Sequence, residues 1–231
     1  MKSVEGTILV GGDIAVQLRR SARARRMTLR VTRAEGKVVL TLPLRASLSE
    51  GRAFAESRLD WLRDIRAALP PPAVICEGAL LPIEGRPVAI TPAAIRGVRL
   101  DGTRLLVPEG RPSGPVVAAF LRHLAHARLV PACDRHARNL GRPFRALTLR
   151  DTRSRWGSCT HDGRLMFSWR LAMAPPEVLD YVAAHEVAHL AHMDHSPAFW
   201  AATGRLCPGW QGPRDWLRQN GHALLAWRFR E

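Results

Sequence analysis

Residues 182–190 constrain this chain more than any other stretch. They contain His185-Glu186-x-x-His189, and every other residue is Val, Ala or Leu. A helix that is apolar all round belongs in an interior. An interior accepts three polar side chains only when they have partners. Two histidines four apart lie one turn apart on one face, separated by a rise of about 6 Å. Both imidazoles can therefore reach one metal ion. A glutamate directly after the first histidine can reach a water on that ion and act as general base. With 9 His and 10 Glu in the chain, chance predicts only about 0.015 such matches.

A third histidine, His195, follows six residues after His189. Catalytic zinc takes three protein ligands and keeps one position for water, so one Zn2+ per chain on His185, His189 and His195 is expected. His195 stands just before Ser196-Pro197, an N-cap followed by proline at the first helical position. A turn there would fold the third imidazole back. His192 lies about 10 Å from His185 along a straight helix and does not suit the same ion. It either makes the turn, since histidine tolerates positive φ, or supports a ligand from outside. Tyr181, four residues before His185, either donates to a transition-state oxygen or packs in the core. Arg155 could stabilise an oxyanion. Asp194 or Asp180 could orient a ligand imidazole or serve only as a capping or solvated carboxylate.

The chain has 231 residues, 46% hydrophobic and 24% charged, enough for one large domain or two small ones. No apolar run reaches the length of a membrane span. The first residues carry acids and glycines where a secretion signal needs a continuous apolar run, so a cytoplasmic location is expected. Four scattered cysteines form neither a disulfide framework nor a zinc ribbon.

The net charge is +15, and only Lys2 and Lys37 are lysines, leaving 33 of the 35 basic residues as arginine. Arg19, Arg20, Arg23, Arg25, Arg26, Arg30 and Arg33 form a run without an acid. It reads either as a surface for the phosphates of a nucleic acid or nucleotide, or as a solvated strand face. It holds no aromatic residue for base stacking.

Apolar alternation predicts strands over 7–10, 14–18, 27–31 and 37–42. A helix capped by Ser49 follows to about Ala68, stopped by Pro70, Pro71 and Pro72. Short strands are predicted over 79–83, 86–90, 97–100 and 105–107. A helix then runs to Leu140-Gly141. A hairpin region covers 147–151, 155–159 and 164–171. Helices follow over about 177–193, from Pro197, and from Gly212-Pro213. The order argues an α+β fold: residues 1–115 a β-rich region with one helix, residues 116–231 a catalytic domain.

Arg155-Trp156-Gly157-Ser158-Cys159, Phe167-Ser168-Trp169-Arg170-Leu171, the metal motif and His195-Ser196-Pro197-x-Phe199-Trp200 resemble the YgjP-like zinc metallopeptidases, relatives of the SprT/Spartan proteases. The resemblance implies a minimal gluzincin-like zincin domain and a hydrolase acting on protein or peptide. Zinc would sit on the three histidines, with Glu186 as base. It also implies that the strand over 164–171 is the edge along which an extended substrate pairs. Spartan relatives cleave proteins attached to DNA, a reading with which the net charge is compatible. Another reaction class also fits a zinc-activated water in an arginine-rich cleft: phosphoanhydride hydrolysis of a nucleotide, with Arg153, Arg155, Arg164 and Arg170 around it. In a third reading the zinc is structural, in a nucleic-acid-binding module; the glutamate of the motif argues against it.

Overall fold

The computed structural model describes residues 4–32, 36–68 and 73–229. The chain divides into two compact units, Met1–Pro72 and Ala73–Glu231.

The first unit is a four-stranded sheet with two helices. Strands β1 (Val4–Val10), β2 (Ile14–Ser21), β3 (Thr28–Val31) and β4 (Val38–Pro43) lie in the order β1-β2-β4-β3. Strands β2 and β4 are parallel and the other pairs antiparallel. Period-two alternation puts Ile14, Val16 and Leu18 of β2 and Val38, Leu40 and Leu42 of β4 in the core. Helix α1 (Leu48–Glu56) is capped by Ser47, two residues before the predicted cap, because Ser47 and Glu50 form a reciprocal capping box. The single predicted helix is two. Ser57 Oγ donates to the Phe54 carbonyl where α1 ends, and α2 (Leu59–Ala68) starts afresh. The predicted stop at Pro70, Pro71 and Pro72, and Arg33 of the arginine run, lie outside the described residues.

The second unit begins with β5 (Ala73–Val74). A sheet of β6 (Leu80–Ile83), β7 (Arg86–Ala93), β8 (Arg99–Asp101) and β9 (Arg104–Pro108) follows in the order β6-β7-β9-β8. Leu81, Ile83, Val88, Ile90, Leu105 and Val107 share one core with the helices that follow. The boundary expected at residue 115 therefore falls inside this unit: the hairpins bury their apolar faces against helices, not one another.

Helix α3 (Ser113–Leu140) spans about 42 Å and ends at left-handed Gly141. Next come β10 (Ala146–Arg150), β11 (Gly157–Cys159) and β12 (Arg164–Ser168), then a buried 3-10 turn over Trp169–Met173. The sheet order is β10-β12-β11, with β12 parallel to β10 and antiparallel to β11. The strand over 164–171, expected at the edge, is thus the central one, and β11 is an edge. Hairpin pairing alone left open which side of β12 would be covered; β10 covers it through a non-local parallel pairing. Helices α4 (Pro176–Ala188), α5 (Pro197–Leu206) and α6 (Gln211–Ala226) follow, and β13 (Trp227–Arg228) pairs with β5. The architecture is α+β, as expected. Among the described residues, no helix is long and apolar enough to cross a membrane.

Candidate active site

Helix α4 is the interior helix that residues 182–190 require. Val178, Val182, Ala183, Ala184, Val187 and Ala188 are all buried. The helix stops five residues before the predicted end at Met193. Its C-cap is His189, and the His189 Nδ1–H donates to the His192 carbonyl at 2.9 Å. That bond holds the following turn against the helix end. It also fixes the tautomer of His189, leaving Nε2 with a free lone pair. His192 therefore contributes its backbone carbonyl.

The turn carries the chain to His195, and Ser196 caps α5 through the Phe199 N–H at 3.4 Å. One ligand atom from each of His185, His189 and His195 lies within 4.8 Å of the others. His185 Nε2 and His195 Nε2 face each other at 3.2 Å. Two nitrogens about 2.05 Å from one tetrahedral ion would lie about 3.3 Å apart, so the residues fit a small divalent cation. Burial, with the His189 and His195 imidazoles beside it, pushes His185 down to about 3. Burial lowers His189 as well. Neutral imidazole is the metal-binding form.

Phe199 forms the floor of the trio. Its ring lies 4.9, 4.4 and 4.8 Å, centre to centre, from His185, His189 and His195. Trp200 stacks on His195 at 5.7 Å and on Trp210 at 4.5 Å. The sequence places Phe199 in the motif after His195 without giving it a role, although the cap at Ser196 sets it in the first turn of α5, beside the third histidine.

Glu186 is 6% exposed. Burial pushes its carboxyl up to about 8, against the opposing charge of Arg155. Arg155 itself is exposed and acts on Glu186 through charge alone. Tyr181 is buried, its ring stacks on Trp210 and lies edge-on to His185 at 5.8 Å, and burial raises its hydroxyl to about 12. Asp194 accepts from the Ser196 N–H at 3.3 Å and so braces the turn. Asp180 is turned away from the ligands. It accepts from His136 Nε2 at 3.0 Å and pairs with Arg135.

The arginines near the site are largely engaged. Arg170 is 1% exposed, donating to Asp151 at 2.6 Å and to the Leu224 and Trp227 carbonyls. Arg164 donates to Asp162 at 2.7 Å and Arg153 to the Leu225 carbonyl. In the first unit, Arg20 donates to the carbonyls of Leu44 and Ala46 at 2.9 and 2.7 Å. Arg19 Nε is buried without a partner. Arg23, Arg25 and Arg26 are exposed.

An interior helix bearing two histidines and a glutamate, a third histidine returned by a turn, and a strand edge alongside define the class of metallopeptidase sites. The family model described as YgjP-like, metallopeptidase domain, matches residues 25–220, and the chain belongs to that family. It is a metal-dependent peptidase family, and the histidine trio is where this chain could hold its divalent ion. A comparison with curated proteins found no match. Among solved structures, the chain is similar to the crystal structure of the metallopeptidase zymogen of Pyrococcus abyssi abylysin. The identity is 18%, over 40% of this chain and 93% of that one, with a TM-score of 0.37.

Proposed function

We propose that the chain is a cytoplasmic zinc peptidase in which His185, His189 and His195 hold one ion and Glu186 moves the proton. The observation that carries this reading is three imidazole nitrogens within 4.8 Å of one another, next to a glutamate that is 6% exposed. Zinc bound there supplies Lewis acidity, lowering the pKa of a water and polarising a carbonyl. Glu186 takes the proton of the attacking water and delivers it to the nitrogen of the leaving amine. A carboxyl poised near neutrality suits a group that must both accept and return a proton, and a cation alongside favours its ionised form. His189 cannot rotate away, because its Nδ1–H is committed to the His192 carbonyl. An extended protein or peptide segment pairs along the open edge of β11, whose Gly157 lies against Glu186.

The test is turnover of an unfolded protein by zinc-loaded wild type and Glu186→Gln, with and without DNA. Phosphate release from nucleoside triphosphates is followed in parallel. Cleavage that depends on Glu186 is the expected result, and DNA stimulation would add a Spartan-type role. Phosphate release without proteolysis would overturn the peptidase reading.

A further inference from the structure

Among the described residues, no hydrogen bond to Glu186 raises or lowers its carboxyl; burial and the charge of Arg155 account for its shift. A buried carboxyl without a donor keeps its rotamer only through packing. One wall of that packing is the backbone of Gly157. A Cβ at Gly157 would fall 2.5 Å from Glu186 Cγ and 2.6 Å from Oε1. Gly157 is not among the glycines with positive φ, so the position requires glycine for space and not for conformation. Its backbone is held in register opposite Phe167, and the Ser168 N–H donates to the Trp156 carbonyl at 2.8 Å.

The neighbouring side chain continues the contact. The Trp156 indole lies over Gly221 of α6, where a Cβ would fall 2.9 Å from Cζ2 and 3.4 Å from Cε2 and Nε1. Glycine inside a helix is disfavoured by about 1 kcal/mol against alanine, so Gly221 runs against local propensity and the indole accounts for it. Trp156 thus lies between two glycines: Gly221 of α6, against its indole, and Gly157, the next residue in the chain, against the base.

We propose that Trp156 and Gly157 are positioning residues that seat the Glu186 carboxyl, with Gly221 of α6 setting how deeply the indole, and hence Gly157, can approach it. This rests on the reading of Glu186 as the proton-transfer group.

The test uses the full chain and substitutes the remote glycine. Gly221→Ala should lower kcat about tenfold, because misplacement by a fraction of an ångström costs rate. KM and the zinc content should stay unchanged. Trp156→Phe in the same chain, a smaller ring over the new methyl, should restore kcat. A second readout needs neither metal nor turnover: the 13C resonance of the Glu186 carboxyl in glutamate-labelled apoprotein, assigned by its loss in Glu186→Gln. It should shift in Gly221→Ala and return in the double variant. An unmoved resonance, or a kcat loss that Trp156→Phe does not rescue, overturns the proposal. If Gly221→Ala does not fold, Trp156→Phe alone carries the test: an unchanged resonance and kcat would overturn it. Should the wild type fail to cleave protein while the resonance moves and returns, the peptidase reading falls and the seating of Glu186 stands.

Discussion

The two ends of α4 share one helix and one core but treat buried polar groups in opposite ways. At the first end, Asp180 accepts from His136 Nε2 at 3.0 Å and pairs with Arg135. Among the described residues, only His136 Nδ1 lacks a partner there. At the second end, Glu186 sits buried at a carboxyl pKa of about 8. His185 Nδ1 has no partner, and the Nε2 atoms of His185 and His195 face each other at 3.2 Å. The carboxylate at the first end has partners from within the protein, whereas among the described residues the carboxyl at the second end accepts no hydrogen bond. Buried groups held in perturbed states are candidates for chemistry; a carboxylate paired across two helices ties the fold together.

The sharpest way to break that contrast is Glu186→Gln. It should cost about 10²–10⁴-fold in peptide hydrolysis while zinc, measured by atomic absorption, stays bound. Its stability effect has a definite sign. The folded carboxyl is raised above its ordinary 4.5 to about 8, so the stability of the neutral form is fully present below 4.5 and is lost as pH rises through about 8. Metal-free Glu186→Gln should therefore match wild type at pH 4 and melt higher at pH 8.5. His195→Ala should weaken zinc about 100-fold or more, as competition with a chelator would show. It should leave the metal-free melting temperature nearly unchanged, since His195 is exposed.

Asp180→Ala should do the reverse, lowering stability by about 1–3 kcal/mol in urea titrations without altering zinc content. Burial alone would raise Asp180, but His136 and Arg135 together hold it below its ordinary 3.8. Its contribution is present above that value and fades as pH falls beneath it, so the two proteins should converge in strong acid. Arg135→Ala is the smallest effect, under about 1 kcal/mol, because that guanidinium is half exposed. A larger loss would mean that the paired end depends on Arg135 more than on His136.

Much of the second end was legible in the sequence. The four-residue spacing of His185 and His189 follows from helix geometry, and the cap at Ser196 placed His195 at a turn. The partners of the first end were not legible, because His136 lies on another helix and no periodicity links it to Asp180. Arg170 shows the same limit. Its charge suggested a phosphate contact, yet it is buried against Asp151, Trp169 and Phe229.

The sequence by itself determined which residues can share a helix face, where helices are capped, and that an apolar helix carrying His185, Glu186 and His189 must be interior. These are local rules, set by rise, rotation and backbone hydrogen bonding within a few residues. Only the tertiary structure decided that β12 is central, that residues 73–108 join the second unit's core, and that Gly157 and Phe199 line the site. Those outcomes depend on which apolar faces meet and which atoms share a volume, and the contacts join residues tens of positions apart. No local pattern records them.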